Sequence, residues 1–421
     1  MSAVRNAGWP AVCLAVFAAA WGGNEFTPLL VMYRTTTDIS PVVVDALLFT
    51  YVLGIVPALL IGGPLSDRYG RRPLMLPSPV IAAVGSALLA AGSDSVPLLV
   101  VGRVASGVAL GLAMAVGGSW IKELSDADGA GATAGARRAA LSLTAGFGVG
   151  AGVAAILAQW APWPGQLSYL INIVLSGVAF AALVRAPESH APRDTGRSLG
   201  QDLRIRSARH PRFWLLVAPV APWVFGACAV AYAVIPAFMT DETSSWSIAF
   251  AGLCCVVGLA AGFLIQTLGK RLDKPGSPRT GVFALLFVAV GLGTSILAAS
   301  THMVVLALIS AAVLGCGYGM ALISGLLEVQ RIARPDELAG LTAVFYGLTY
   351  LGFASPAIIA AVMERFDSVG YGETFGFGIA MALLAVVVMV VGNRTRIAGP
   401  HTMRSQITDV ELTHDDAAAN R

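Results

Sequence analysis

The chain has 421 residues, of which 56% are hydrophobic and 12% charged, with a mean hydropathy of +0.75. A soluble globular chain carries about twice that share of charge, so the solvent around most of this one is lipid. Its formal charge of +3 is small and its basic residues lie in scattered loops, which excludes nucleic-acid binding.

A helix needs about 20 apolar residues to cross roughly 30 Å of hydrocarbon, and twelve runs meet that need. The first, 11–33, contains Ala18-Ala19-Ala20, which mimics a signal-peptidase site, but the run is too long for a signal peptide and is expected to remain as a span. Five more follow at 43–63, 73–93, 96–118, 138–160 and 166–185. An arginine-rich break with Pro187, Pro192 and Pro211 precedes the last six, at 213–239, 246–268, 280–300, 303–327, 339–363 and 372–392. The expected architecture is all-α and membrane-embedded: a six-helix bundle over 1–186, a linker over 187–212, a second six-helix bundle over 213–393 and a polar tail over 394–421. Cys13, Cys228, Cys254, Cys255 and Cys316 all lie inside apolar runs without metal or disulfide spacing and read as small core residues.

Orientation follows from the basic residues. With the N-terminus cytoplasmic, 24 of the 27 Lys and Arg fall on the cytoplasmic side, leaving Arg34 and Arg365 outside and Arg103 within a span. The expected location is therefore a cell inner (plasma) membrane, multi-pass, with both termini and the linker inside. The halves also repeat. Gly63, Leu65, Asp67, Gly70 and Arg72 match Gly262, Leu264, Gln266, Gly269 and Arg271, while Gly111 to Met114 matches Gly317 to Met320, and Gly146-Phe147 matches Gly352-Phe353. A parallel duplication of this kind is a transporter architecture, with the substrate near the midplane between the halves.

The loop after the second span reads Gly63-Pro64-Leu65-Ser66-Asp67-Arg68-Tyr69-Gly70-Arg71-Arg72-Pro73. Gly70 permits the tight turn, the arginines hold it at the anionic face, and Asp67 stands at the unfavourable end of its own helix, where it needs a compensating partner. This loop resembles the signature G-x-L-x-D-R-x-G-R-R of the major facilitator superfamily, and the resemblance extends over all twelve spans. It implies two pseudo-symmetric six-helix bundles, a cavity lined by spans 1, 4, 7 and 10, and a gating loop of Gly63, Asp67, Arg68, Gly70, Arg71 and Arg72 that breaks and reforms during transport. Arg103 with Gly107 and Gly111, and the glycine-rich Gly146-Phe-Gly-Val-Gly150-Ala-Gly152, are similar to motifs of the drug:proton antiporter branch. The proline that branch carries after the last motif glycine is Ala151 here, and Pro356 occupies the neighbouring place in span 11.

An ionisable residue inside a span costs about 2.5 to 3.5 kcal/mol at the centre, which makes it a functional candidate. Glu25 and Arg103 stand at matching depth in spans 1 and 4, so Glu25 is expected to be the protonation site and Arg103 its electrostatic partner. A permanent structural ion pair is the alternative. Asp45, near the outer mouth of span 2, is expected to be wet. Trp21 and Asn24 beside Glu25, with Trp223, Phe225 and Tyr232 in span 7 and Tyr318, Met320 and Ser324 in span 10, are expected to form an adaptable wall for an apolar or cationic ligand. His190, His210, His302, His401 and His414 form no catalytic cluster, so no enzyme is expected. No cofactor or metal is expected either. The functional expectation is a monomeric, proton-coupled exporter of small hydrophobic or cationic compounds, surrounded by lipid, with uptake or lipid transport on the same fold as the alternative.

Overall fold

A computed structural model describes residues 8–192, 205–334 and 337–394, which are helical with short turns and contain no strand among the described residues. Among the described residues eleven helices are long and apolar enough to cross a membrane: α1 (Trp9–Thr36), α2 (Pro41–Tyr69), α3 (Arg71–Ala91), α4 (Val96–Ala127), α5 (Thr133–Trp160), α7 (Phe213–Phe238), α8 (Ser247–Leu272), α9 (Arg279–Thr301), α10 (Val304–Ile332), α11 (Leu338–Arg365) and α12 (Tyr371–Arg394). The twelfth, α6 (Leu167–Leu183), is apolar but shorter. In hydrocarbon each backbone must satisfy its own N–H and C=O groups, and the helix does so within one segment. Several helices outrun the apolar stretches that announce them. Thus α4 continues past 118 through Trp120-Ile121-Lys122-Glu123, because helical hydrogen bonding carries on into the polar turns where hydropathy fades.

The two halves pack by the same plan. In the first, α1 lies on α5, α2 on α4, and α3 on both α4 and α6; in the second, α7 lies on α11, α8 on α10, and α9 on both α10 and α12. Small residues permit the close crossings that lipid does not drive. A Cβ on Gly107 of α4 would stand 2.0 Å from the Tyr51 carbonyl oxygen, and one on Gly315 of α10 would stand 2.2 Å from that of Gly258. The halves meet where α2 runs along α11 and α5 along α8. The end of the molecule bearing the α2–α3 turn and both linker ends is termed the basic face, and the opposite end the far face.

Two prolines shape the helices that matter for function. Pro28 has no N–H and its ring crowds the carbonyl of Asn24, so α1 breaks at Glu25 between its segments Trp9–Asn24 and Phe26–Thr36. Pro356 acts in the same way on α11, which tightens to a 3-10 turn over Leu351–Ala354. Wider π-type turns occur at Ala113–Gly117 in α4 and at Phe213–Val217 and Val230–Val234 in α7. The middle of the expected linker and the expected tail lie outside the described residues.

Candidate coupling site and gate

At its break, α1 turns two neighbouring polar side chains in opposite directions. Glu25 faces the interior of the first half and is fully buried. Its Oε2 accepts from Trp21 Nε1 at 2.9 Å and from the Ser168 hydroxyl at 2.9 Å. Its Oε1 accepts from the Ser86 hydroxyl at 3.2 Å and from Asn172 Nδ2 at 3.4 Å. Trp21 and Glu25 are four residues apart on α1, and Ser168 and Asn172 four apart on α6, so each pair shares a helix face. Asn172 Nδ2 also donates to Ser86 Oγ at 2.9 Å, which closes the cage. Serine hydroxyls donate to a carboxylate and can turn to accept from a carboxylic acid, so this cage accommodates both states.

Asn24 points the other way, toward the second half. Its Nδ2 donates to the Phe147 carbonyl of α5 at 3.0 Å and to Cys255 Sγ of α8 at 3.4 Å, while Thr27 Oγ1 donates to its Oδ1 at 2.8 Å. The glycine-rich run of α5 makes this approach feasible: a Cβ on Gly150 would sit 2.8 Å from Trp21 Cα.

Arg103, expected as the electrostatic partner of Glu25, acts on it through space without a direct ion pair. Arg103 is buried at the same level but reaches round α1: its Nη1 donates to the Gly23 carbonyl at 3.3 Å and its Nε to the Leu47 carbonyl at 3.2 Å. Its guanidinium carbon lies 4.6 Å from the ring centres of both Phe26 and Tyr51. Matching depth placed the two charges correctly along the helices but carried no information on which way each faces.

Tyr51 leads from Arg103 into an aromatic seam between the halves. It meets Tyr350 edge-on at 5.7 Å and Phe353 at 5.5 Å. Phe225 of α7 stacks on Tyr350 at 4.5 Å, on Phe353 at 4.8 Å and on Tyr318 at 6.1 Å, and Tyr232 lies 6.3 Å from Phe353. The Tyr350 hydroxyl donates across the seam to Met114 Sδ in the wide turn of α4 at 3.4 Å. Tyr232 and Tyr318 therefore stand in this seam, while Trp223 is half-buried beside it. Met320 is buried in the same apolar cluster as these rings, and Ser324 Oγ is 3.0 Å from where a Cβ on Gly281 of α9 would stand.

At the basic face Arg71 gathers the contacts of the α2–α3 loop. Its guanidinium donates to Asp67 at 2.6 Å, Ser66 Oγ at 2.9 Å and Glu123 of α4 at 2.9 Å. Gly70 has φ +98°, a region costly for side-chain-bearing residues, and a Cβ there would lie 2.7 Å from Glu188. That carboxylate, from the linker, accepts the backbone N–H groups of Arg71 and Arg72 at 3.0 and 2.9 Å and so caps the start of α3. Partial burial would raise the Glu188 carboxyl, but the N–H groups of Arg72, His190, Arg71 and Ser189 outweigh it and hold it below its ordinary value. Arg72 donates to the Val184 carbonyl, and Gly63 faces open space. In the second half Glu328 pairs with Arg212 and with Arg331, which also binds Asp273.

At the far face Asp45 is buried in an ion pair with Arg34, whose Nη1 also donates to the Ala233 carbonyl of α7 at 3.3 Å. The pair helps to line a cavity of about 570 Å³ with Val234, Pro356, Met363 and Tyr371. Sequence reasoning passed over Ser86, Ser168, Asn172, Tyr350 and Phe353. One signal was present: Ser168, Asn172 and Ser176 recur every fourth residue in the otherwise apolar α6, a polar stripe on one helix face.

The family described as Major Facilitator Superfamily matches residues 12–357. A chloramphenicol resistance protein of Pseudomonas aeruginosa is 25% identical over 279 residues, 65% of this chain and 64% of its own length. The class C tetracycline resistance protein of Escherichia coli is 26% identical over 352 residues, 79% of this chain and 83% of its own length. The fold is similar to that of a D-xylose-proton symporter (TM-score 0.70, 18% identity, 91% of this chain and 96% of that one) and of the nucleoside transporter NupG (TM-score 0.68, 13% identity, 93% and 98%). With the twelve-helix plan and the gating loop, this match places the chain in the major facilitator superfamily of membrane transporters.

Proposed function

We propose that this chain is a proton-coupled exporter of small hydrophobic compounds that works by alternating access in a bacterial-type inner membrane, with the basic face cytoplasmic. The observation that carries the reading is the break in α1, where Glu25 in its polar cage and Asn24 on Cys255 of the opposite half are adjacent residues. Gain or loss of a proton at Glu25 reorganises donors from α1, α3 and α6, and the same turn of backbone bears the contact between halves. Arg103 braces that turn through the Gly23 carbonyl and orients the Tyr51 and Phe26 rings. Of the two substrate classes expected, neutral aromatic compounds fit better than cations, because Glu25 is sealed away from the aromatic seam and the nearest buried charge is the cation Arg103. The resistance proteins named above support export over uptake.

Proton movement in proteoliposomes under an imposed pH gradient tests the reading, with chloramphenicol, tetracycline and a set of lipophilic cations as probes. Wild type is expected to show drug-dependent proton flux, lost in Glu25→Gln while drug counterflow without a gradient persists. Gradient-driven transport at the wild-type rate in Glu25→Gln would remove Glu25 from the coupling mechanism.

A further inference from the structure

We propose that the far-face cavity is a binding site for amphipathic cations, separate from the aromatic seam, with Glu364 as the counter-charge and with walls that a bound cation holds together. The inference holds independently of proton exchange at Glu25.

The cavity has the size and the lining of a small-molecule site. Its volume of about 570 Å³ falls within the roughly 300–1,000 Å³ that drug-sized ligands occupy. Its walls come from both halves: Val42 from α2, Val234 and Ala237 from α7, Ile359 and Met363 from α11, and Tyr371 from α12. These apolar groups suit an aliphatic or aromatic ligand body. Tyr371 is held by Phe238, with ring centres 5.0 Å apart, and by Phe375 at 5.9 Å, so the lining contains a fixed aromatic ring, which favours a cation over an anion.

Three charged side chains complete the lining, and their pairing decides its sign. Arg34 and Asp45 bind each other, and Arg34 also donates to the Ala233 carbonyl, so this pair cancels. The Arg34 Nε is buried without a partner, which keeps that charge below the surface, whereas Glu364 is exposed at the mouth. Glu364 forms no hydrogen bond or ion pair among the described residues. It stands in the last turn of α11, whose final segment ends at Arg365, and the unpaired carbonyls of a helix end add negative potential there. A carboxylate is poorly placed at that end, and a bound cation offsets both. Its neighbour Arg365 does not line the cavity; that guanidinium carbon lies 5.6 Å from the Phe366 ring centre. Because the walls belong to both halves, a ligand that touches all of them favours the arrangement in which the halves lie this close.

Equilibrium dialysis of radiolabelled tetraphenylphosphonium against the full chain in nanodiscs, where both faces are open, tests the site. Wild type is expected to bind one equivalent per chain. Glu364→Gln changes an exposed residue and is expected to weaken binding about three- to fivefold, as for one charge at a solvated rim, with most of the loss restored in Glu364→Asp. Ala360→Phe places a ring inside the cavity and is expected to abolish binding, with the melting temperature reporting that it folds. At saturating cation, amide exchange should slow at the far-face ends of α2 and α11 together. No binding by wild type, or wild-type affinity in both Glu364→Gln and folded Ala360→Phe, would overturn the site. Loss in Ala360→Phe alone would overturn the role of Glu364 and the cation class with it. Exchange unchanged on binding would overturn the holding of the two halves.

Discussion

The tightness of the Glu25 cage turns on a residue with no side chain. A Cβ on Gly22 would stand 2.4 Å from Asn172 Nδ2, so Gly22→Ala must displace the amide that donates to both Glu25 and Ser86. Overpacking of this kind costs about 1–3 kcal/mol. A Tm lower by several degrees is expected in detergent, together with loss of gradient-driven transport. Gly148→Ala, whose Cβ would meet nothing within 4 Å, serves as the neutral control. Equal behaviour of the two variants would mean that the cage tolerates distortion. At this scale the sequence announced Glu25 and Arg103, because charge in lipid is rare, and Trp21 only as a neighbour of Glu25. It was nearly silent on Ser86, Ser168 and Asn172: hydroxyls and one amide barely lower hydropathy, and their convergence depends on how three helices are rotated against one another.

Among elements, the α2–α3 turn was legible because its requirements are local: a positive φ at Gly70 and an acid and a base four residues apart, Asp67 and Arg71. Its cap was not, since Glu188 arrives from 117 residues further on. The π-type turns of α4 and α7 carry no composition signal, whereas the breaks of α1 and α11 follow directly from Pro28 and Pro356. The cap has a pH signature. A carboxyl held below its ordinary value stabilises its bonded form above the unfolded pKa of about 4.3, and that contribution disappears as pH falls through the lower folded value. Amide exchange should therefore find Arg71 and Arg72 protected at neutral pH and progressively exposed below about pH 4. Glu188→Ala should expose them at every pH. Protection unchanged in that variant would show that the linker merely rests on the turn.

For the molecule as a whole, the duplication foreseen from three sets of matching residues reappears as an identical order of helix contacts in each half. What the duplication did not foresee is the division of labour. The first half buries the carboxylate, the second supplies most rings of the seam, and Asn24, Tyr350 and Arg34 stitch the two together at different levels. Because α6 has only 17 residues, it spans about 25 Å at roughly 1.5 Å per residue, less than the roughly 30 Å of a typical hydrocarbon core. The bilayer must thin beside it or leave its ends strained, at a modest cost for each ångström of mismatch. Drug-driven proton flux should accordingly be faster in vesicles of shorter acyl chains, and slow as the chains lengthen; rates indifferent to chain length would separate α6 from the turnover. On this argument membrane thickness should tune turnover through α6, the helix among the described residues that falls short of it.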